Sequence, residues 1–119
     1  MAFELKDNTI TIEQGSTFTL SINYKDSSGS TIDLSSGYTA RMQCRLGHAS
    51  SSTLFSYTSS SEITLSASNP NVLITVPAST TDDYDAPIMG VYDLELETTA
   101  GVVTKILKGR LRIEAEVTR

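Results

Sequence analysis

The side chains able to do chemistry are few in this sequence, and their spacing limits what they can do. The chain has one imidazole, His48, and one thiol, Cys44. Nucleophilic catalysis of the Ser-His-Asp or Cys-His kind needs a base held against its nucleophile beside a pocket. His48 falls instead in a Gly- and Ser-rich connection and reads as a surface-loop histidine. Cys44 stands in an alternating apolar row with nothing nearby to lower its pKa, so it reads as a small buried hydrophobe. One Cys and one His cannot supply a usual zinc ligand set, and one Cys cannot close a disulfide within the chain.

The carboxylates form two groups. Asp82, Asp83 and Asp85 cluster at a turn. They lack the alternating Asp/Asn-and-Gly spacing of a calcium loop, so capping of a short helix is favoured over cation binding. Asp93, Glu95 and Glu97 recur at every second position and line one face of a strand. A glycosidase needs one carboxyl with a raised pKa, and outward neighbours on a solvated strand have nothing to raise it. No glycine-rich phosphate loop is present. The expectation is therefore a protein with no enzymatic activity, cofactor, metal or small-molecule substrate.

Period-two patterning places Cys44, Asp93, Glu95 and Glu97 on strands. Thr9 to Glu13 alternates polar and apolar, and after Gln14-Gly15 the residues Phe18, Leu20, Ile22 and Tyr24 repeat at period two. Lys25 to Ser30 is a turn by composition. Tyr38, Ala40, Met42 and Cys44 alternate against Thr39, Arg41, Gln43 and Arg45, which describes a half-buried strand. Short apolar stretches follow at Leu54 to Tyr57, Ile63 to Leu65 and Val72 to Val76, where Pro77 ends the run. Ser79 to Tyr84 reads as one helical turn, with Ser79 or Thr80 as cap and the aspartates near its positive end.

Spacing around Gly101 predicts a hairpin from Val91 to Lys108. A three-residue loop, Thr99-Ala100-Gly101, with Gly101 left-handed, pairs Leu94 with Ile106 and Glu95 with Lys105. A two-residue loop would scatter the apolar row. Gly109 then marks a bulge before Leu111, Ile113 and Ala115.

At 119 residues the chain is long enough for one core, and a single domain spanning 1–119, with 1–8 as an N-terminal arm, is predicted. Short strands, frequent turn signals and at most one short helical turn point to an all-β fold, an immunoglobulin-like antiparallel β-sandwich. Tyr92, two positions before the core residue Leu94, resembles the tyrosine corner of such domains. Tyr24, Tyr38 and Tyr92 are assigned to the core, and Tyr57 and Tyr84 are left free. A formal charge of -5 argues against nucleic acid. Lys105, Lys108, Arg110 and Arg112 concentrate near the end of the chain, but Glu114 and Glu116 follow, and a solvated sheet face accounts for the alternation. The N-terminus lacks the pattern of a secretory signal, and no apolar run approaches the ~20 residues of a spanning helix.

Several segments carry a resemblance to a known family. They are Ile10 to Phe18, Tyr24 to Gly29, Ile32-Asp33-Leu34, Gly37 to Gln43, Gly90 to Leu96 and Leu107 to Arg119. Together they resemble small virion structural proteins of tailed bacteriophages, in particular the N-terminal domain of phage baseplate upper proteins. The resemblance implies a module in the tail, baseplate, neck or fibre-attachment region, synthesised in the host cytoplasm and built into the virion. Its partners would be other virion proteins, in multiple symmetric copies, with no membrane involved. A capsid-surface decoration protein and a host-surface carbohydrate-binding module are the alternatives. The first strand and the segment from Arg110 to Val117 are the expected sheet edges, which makes Phe3, Leu5, Ile10, Ile12, Arg110 and Arg112 the candidate interface. Tyr92, Leu94, Gly101 and Gly109 define the fold.

Overall fold

The computed structural model describes residues 9–47 and 52–117. Among them are eight strands, β1 (Ile10–Glu13), β2 (Phe18–Ile22), β3 (Tyr38–Arg45), β4 (Phe55–Thr58), β5 (Ile63–Leu65), β6 (Val72–Val76), β7 (Ile88–Thr98) and β8 (Val103–Glu114), and one helix, α1 (Ala78–Thr81). They form a five-stranded sheet, β1-β8-β7-β3-β4, and a three-stranded sheet, β2-β6-β5. The fold is all-β. No helix among the described residues is long and apolar enough to cross a membrane.

The period-two pattern determines which side chains meet between the sheets. From the larger sheet come Ala40, Met42 and Cys44 of β3, Tyr92, Leu94 and Leu96 of β7, and Leu107, Leu111 and Ile113 of β8. Ile22 of β2, Ile63 of β5, and Val72, Ile74 and Val76 of β6 complete the same cluster from the smaller sheet. Most of these side chains are wholly shielded from solvent, and each Leu or Ile among them would cost about 2–5 kcal/mol to truncate to Ala.

The purely antiparallel arrangement expected from the sequence does not hold at one edge. β1 pairs with β8 in parallel, Ile10 beside Leu111 and Ile12 beside Ile113. The break at Gln14-Gly15 sends β1 and β2 into different sheets, so β1 finds its partner at the far end of the chain. The side chains of Ile10 and Ile12 consequently point into the core, 4% and 0% exposed, so what β1 can offer a partner is its backbone edge. β8 lies between β1 and β7 and is not an edge. Arg110 and Arg112 stand exposed on its outer face. Phe3 and Leu5 lie outside the described residues.

The β7–β8 hairpin has the predicted loop but a different bulge. Thr98 and Val102 close the three-residue loop through a 3.0 Å backbone hydrogen bond, and Gly101 has φ +88°. Glu95 faces Lys105 as expected, yet Leu94 faces Leu107, not Ile106. The extra residue is Ile106, and Gly109 sits in regular register opposite Tyr92. Burial explains the choice: Ile106 and Leu107 are both in the core, which two successive residues of a regular strand cannot be. β8 ends at Glu114, and Ala115 is exposed.

The helical turn starts earlier than predicted. Pro77 occupies the N-cap, neither Ser79 nor Thr80 makes a side-chain cap, and Asp82 is the C-cap. The aspartates therefore follow the helix and do not complement its positive end. β2 stops at Ile22, because the backbone of Tyr24 is held by the side chain of Asn71 instead of by a strand.

Candidate interaction surface

The outer face of the five-stranded sheet carries most of the ordered charge. Register aligns Arg41, Gln43 and Arg45 of β3 with Glu95, Asp93 and Val91 of β7, and these with Lys105, Lys108 and Arg110 of β8. Six of the nine basic residues lie here, namely Arg41, Arg45, Lys105, Lys108, Arg110 and Arg112.

The bulge at Ile106 organises this face. Continued without it, the Leu94–Leu107 register would set Lys105 opposite Leu96, on the core side. With the extra residue, Lys105 turns outward and its ammonium meets Asp93 Oδ2 at 3.1 Å and also the carboxylate of Glu95. Arg41 completes the network, with Nε donating to Glu95 Oε1 at 2.8 Å and Nη1 to Glu97 Oε1 at 2.9 Å. Lys105, followed by Arg41, holds the Glu95 carboxyl below its ordinary range, and Glu95, followed by Asp93, raises Lys105. A carboxylate kept ionised in this way is a poor general acid.

Lys108 faces Asp93 across the ladder, but Asp93 is engaged by Lys105. Lys108, Arg110 and Arg112, at every second position of β8, form no ion pair among the described residues. With Arg45 and Val91, the first two border a groove of about 580 Å³.

A second depression, about 800 Å³, lies at the end of the sandwich between Gln14-Gly15, α1 and the segment after β8, and Asp82 and Glu116 line it. The wall is a polar network. Thr81, wholly buried, accepts the Gly15 N–H at 3.1 Å and donates to the Ser16 carbonyl at 2.7 Å. The Gln14 carboxamide donates to the Tyr84 carbonyl at 2.8 Å and accepts the Glu116 N–H at 2.9 Å. These residues had no sequence signature, because each bond joins segments distant along the chain. Asp82, Asp83 and Asp85 are exposed beside this network.

The aromatic residues are placed differently from the sequence expectation. Tyr57 and Tyr84, read as free, pack inward. The Phe55 ring stacks on Tyr57 at 4.5 Å and on Tyr84 at 5.3 Å, and the two tyrosine hydroxyls share a 2.5 Å hydrogen bond. Burial raises the pKa of both tyrosines. Tyr24 and Tyr38 are only half-buried at the rim of the core, whereas Tyr92 is inside, its phenol pushed up to about 12 by burial. Cys44 is fully buried and its thiol is pushed up to about 11. Among the described residues no three His, Cys, Asp or Glu side chains converge as metal ligands. His48 lies outside the described residues. No protein-family model matches the chain, and no curated protein matches its sequence.

Proposed function

We propose that the chain is a non-enzymatic structural module of a tailed-bacteriophage virion, an immunoglobulin-like sandwich joining other virion proteins in the tail, baseplate, neck or fibre-attachment region. Strand order supports the immunoglobulin-like part. Taken as strands A′, B, C, C′, D, E, F and G, β1 to β8 divide into a GFC sheet extended by A′ and C′ and a facing BED sheet. The helical turn α1 falls in the E–F connection, and Tyr92 precedes the buried Leu94 by two positions on strand F. The resemblance of the sequence to phage baseplate domains supports the virion part.

The observation that carries the binding role is the β1 edge. It is a strand of four residues at the margin of the larger sheet, and one side of its backbone has no neighbouring strand among the described residues. Such an edge accepts a further strand from a partner. The chemistry-bearing groups favour binding over catalysis: Glu95 is held ionised between two cations, and the Cys44 thiol is buried and protonated. A carbohydrate platform of exposed aromatic rings has little support with Tyr57 and Tyr84 stacked on Phe55.

The test is removal of residues 1–8, the segment that leads into this edge. The shortened chain is expected to keep its β-rich circular dichroism and to be lost from purified particles, as read by mass spectrometry. Incorporation at the level of the intact chain would overturn the proposal.

A further inference from the structure

We propose that copies of this chain associate head to tail, the basic strip on β8 of one copy seating against the acidic end beside α1 of the next. The inference rests on reading the chain as an assembly module and names a second contact, separate from the β1 edge.

Two patches of opposite sign, Lys108, Arg110 and Arg112 on one side and Asp82, Asp83 and Asp85 on the other, form no ion pair among the described residues. Lys108, Arg110 and Arg112 project from the same face of β8, about 7 Å apart at the usual strand rise. They are exposed and form no ion pair among the described residues. The bulge at Ile106 leaves them so, because Lys105 takes the carboxylates of Asp93 and Glu95. Between the strip and β3 the surface is partly apolar: Val91 lies opposite both Arg110 and Arg45, and Met89, opposite Arg112, is 44% exposed. Asp82, Asp83 and Asp85 are likewise exposed and without an ion pair among the described residues, beside the depression lined by Asp82 and Glu116.

No ion pair among the described residues joins the two patches, so each is open to another copy. A chain of net charge -5 gains from this placement, since its concentrated cations meet the excess carboxylate of a neighbour. The two surfaces are different, so the contact is heterologous and propagates around a ring or along a helix. The apolar ground under the arginines adds burial to the charge pairing.

The experiment is light scattering coupled to size exclusion across a concentration series up to millimolar, on the whole chain and two charge reversals. R110E/R112E reverses the strip and D82K/D83K reverses the acidic end. The intact chain is expected to grow in mass with concentration and to return to monomer near 1 M salt, where the screening length falls to about 3 Å. Each reversed chain alone is expected to be monomeric, while an equimolar mixture regains the larger mass, because the reversed strip of one meets the reversed end of the other. Recovery in the mixture cannot come from misfolded protein. A monomeric intact chain, reversed chains that still associate, or a mixture that stays monomeric would each overturn this contact. None of these outcomes bears on particle incorporation after removal of residues 1–8, so the two proposals fail separately.

Discussion

The carboxamide of Asn71 grips the backbone of Tyr24 from both sides, Oδ1 accepting its N–H at 2.7 Å and Nδ2 donating to its carbonyl at 2.8 Å. The same nitrogen donates to the Ile32 carbonyl at 2.8 Å, and the side chain is wholly buried. One residue at the start of β6 thus takes the place of a strand partner for the long connection between β2 and β3. Asn71→Ala strands the Tyr24 N–H and leaves the Ile32 carbonyl unmet, while the Tyr24 carbonyl keeps the Ile32 N–H, and is expected to cost about 2–4 kcal/mol. Asn71→Asp keeps the acceptor but loses both donations, so it is expected to destabilise as well. Urea unfolding of the three proteins checks this, and an Ala variant within experimental error of the parent would refute the role.

Glu95 links the charged face to acid stability. Its carboxyl is lowered from an ordinary value of 4.5, first by Lys105 and then by Arg41. A lowered carboxyl favours the folded state above its unfolded pKa, and that contribution disappears as pH falls through the folded one. Stability is therefore expected to hold from pH 7 to about 5 and to decline below that. Glu95→Gln should cost about 1 kcal/mol at pH 7, given partial exposure of its partners, and should flatten the decline. Denaturant midpoints measured against pH distinguish the two curves.

The Cys44 thiol, buried and raised to about 11, is expected to be inert toward aromatic disulfide reagents at pH 8 in the folded protein. One thiol per chain should become reactive when the protein is unfolded. Rapid labelling of the native protein would contradict the burial of the β3 inner face.

Gly90 and Gly101 are required for different reasons, and alanine separates them. A Cβ at Gly90 would lie 2.6 Å from the Arg45 carbonyl oxygen and 3.0 Å from Cys44 Sγ, so β7 and β3 would have to part. Gly90→Ala is expected to cost about 1–3 kcal/mol or more. At Gly101 the space is open and the cost comes from φ +88° alone, about 1–2 kcal/mol. Gly101→Asn, which tolerates this region, should recover part of that loss, whereas Gly90→Asn should not. Thermal midpoints of the four variants test the distinction.

Features that local physics encodes were legible along the chain. Alternation named the strands of β3 and β7, because side-chain direction repeats every two residues whatever the partner. Gly101 announced its turn, since few other residues adopt its φ, and the alternating row around Cys44 announced its burial. Tertiary structure decided what depends on two distant segments at once. Ile12 meeting Ile113 in parallel, Thr81 bonding Gly15 and Ser16, and Asn71 holding Tyr24 and Ile32 are such pairings. The bulge is the sharpest case. Gly109 had the residue type for it, but the core had room for Ile106 and Leu107 side by side, and burial of two large apolar side chains outweighed local preference. That single shift set which cations were neutralised and which were left on the surface, and no spacing along the chain could reveal it.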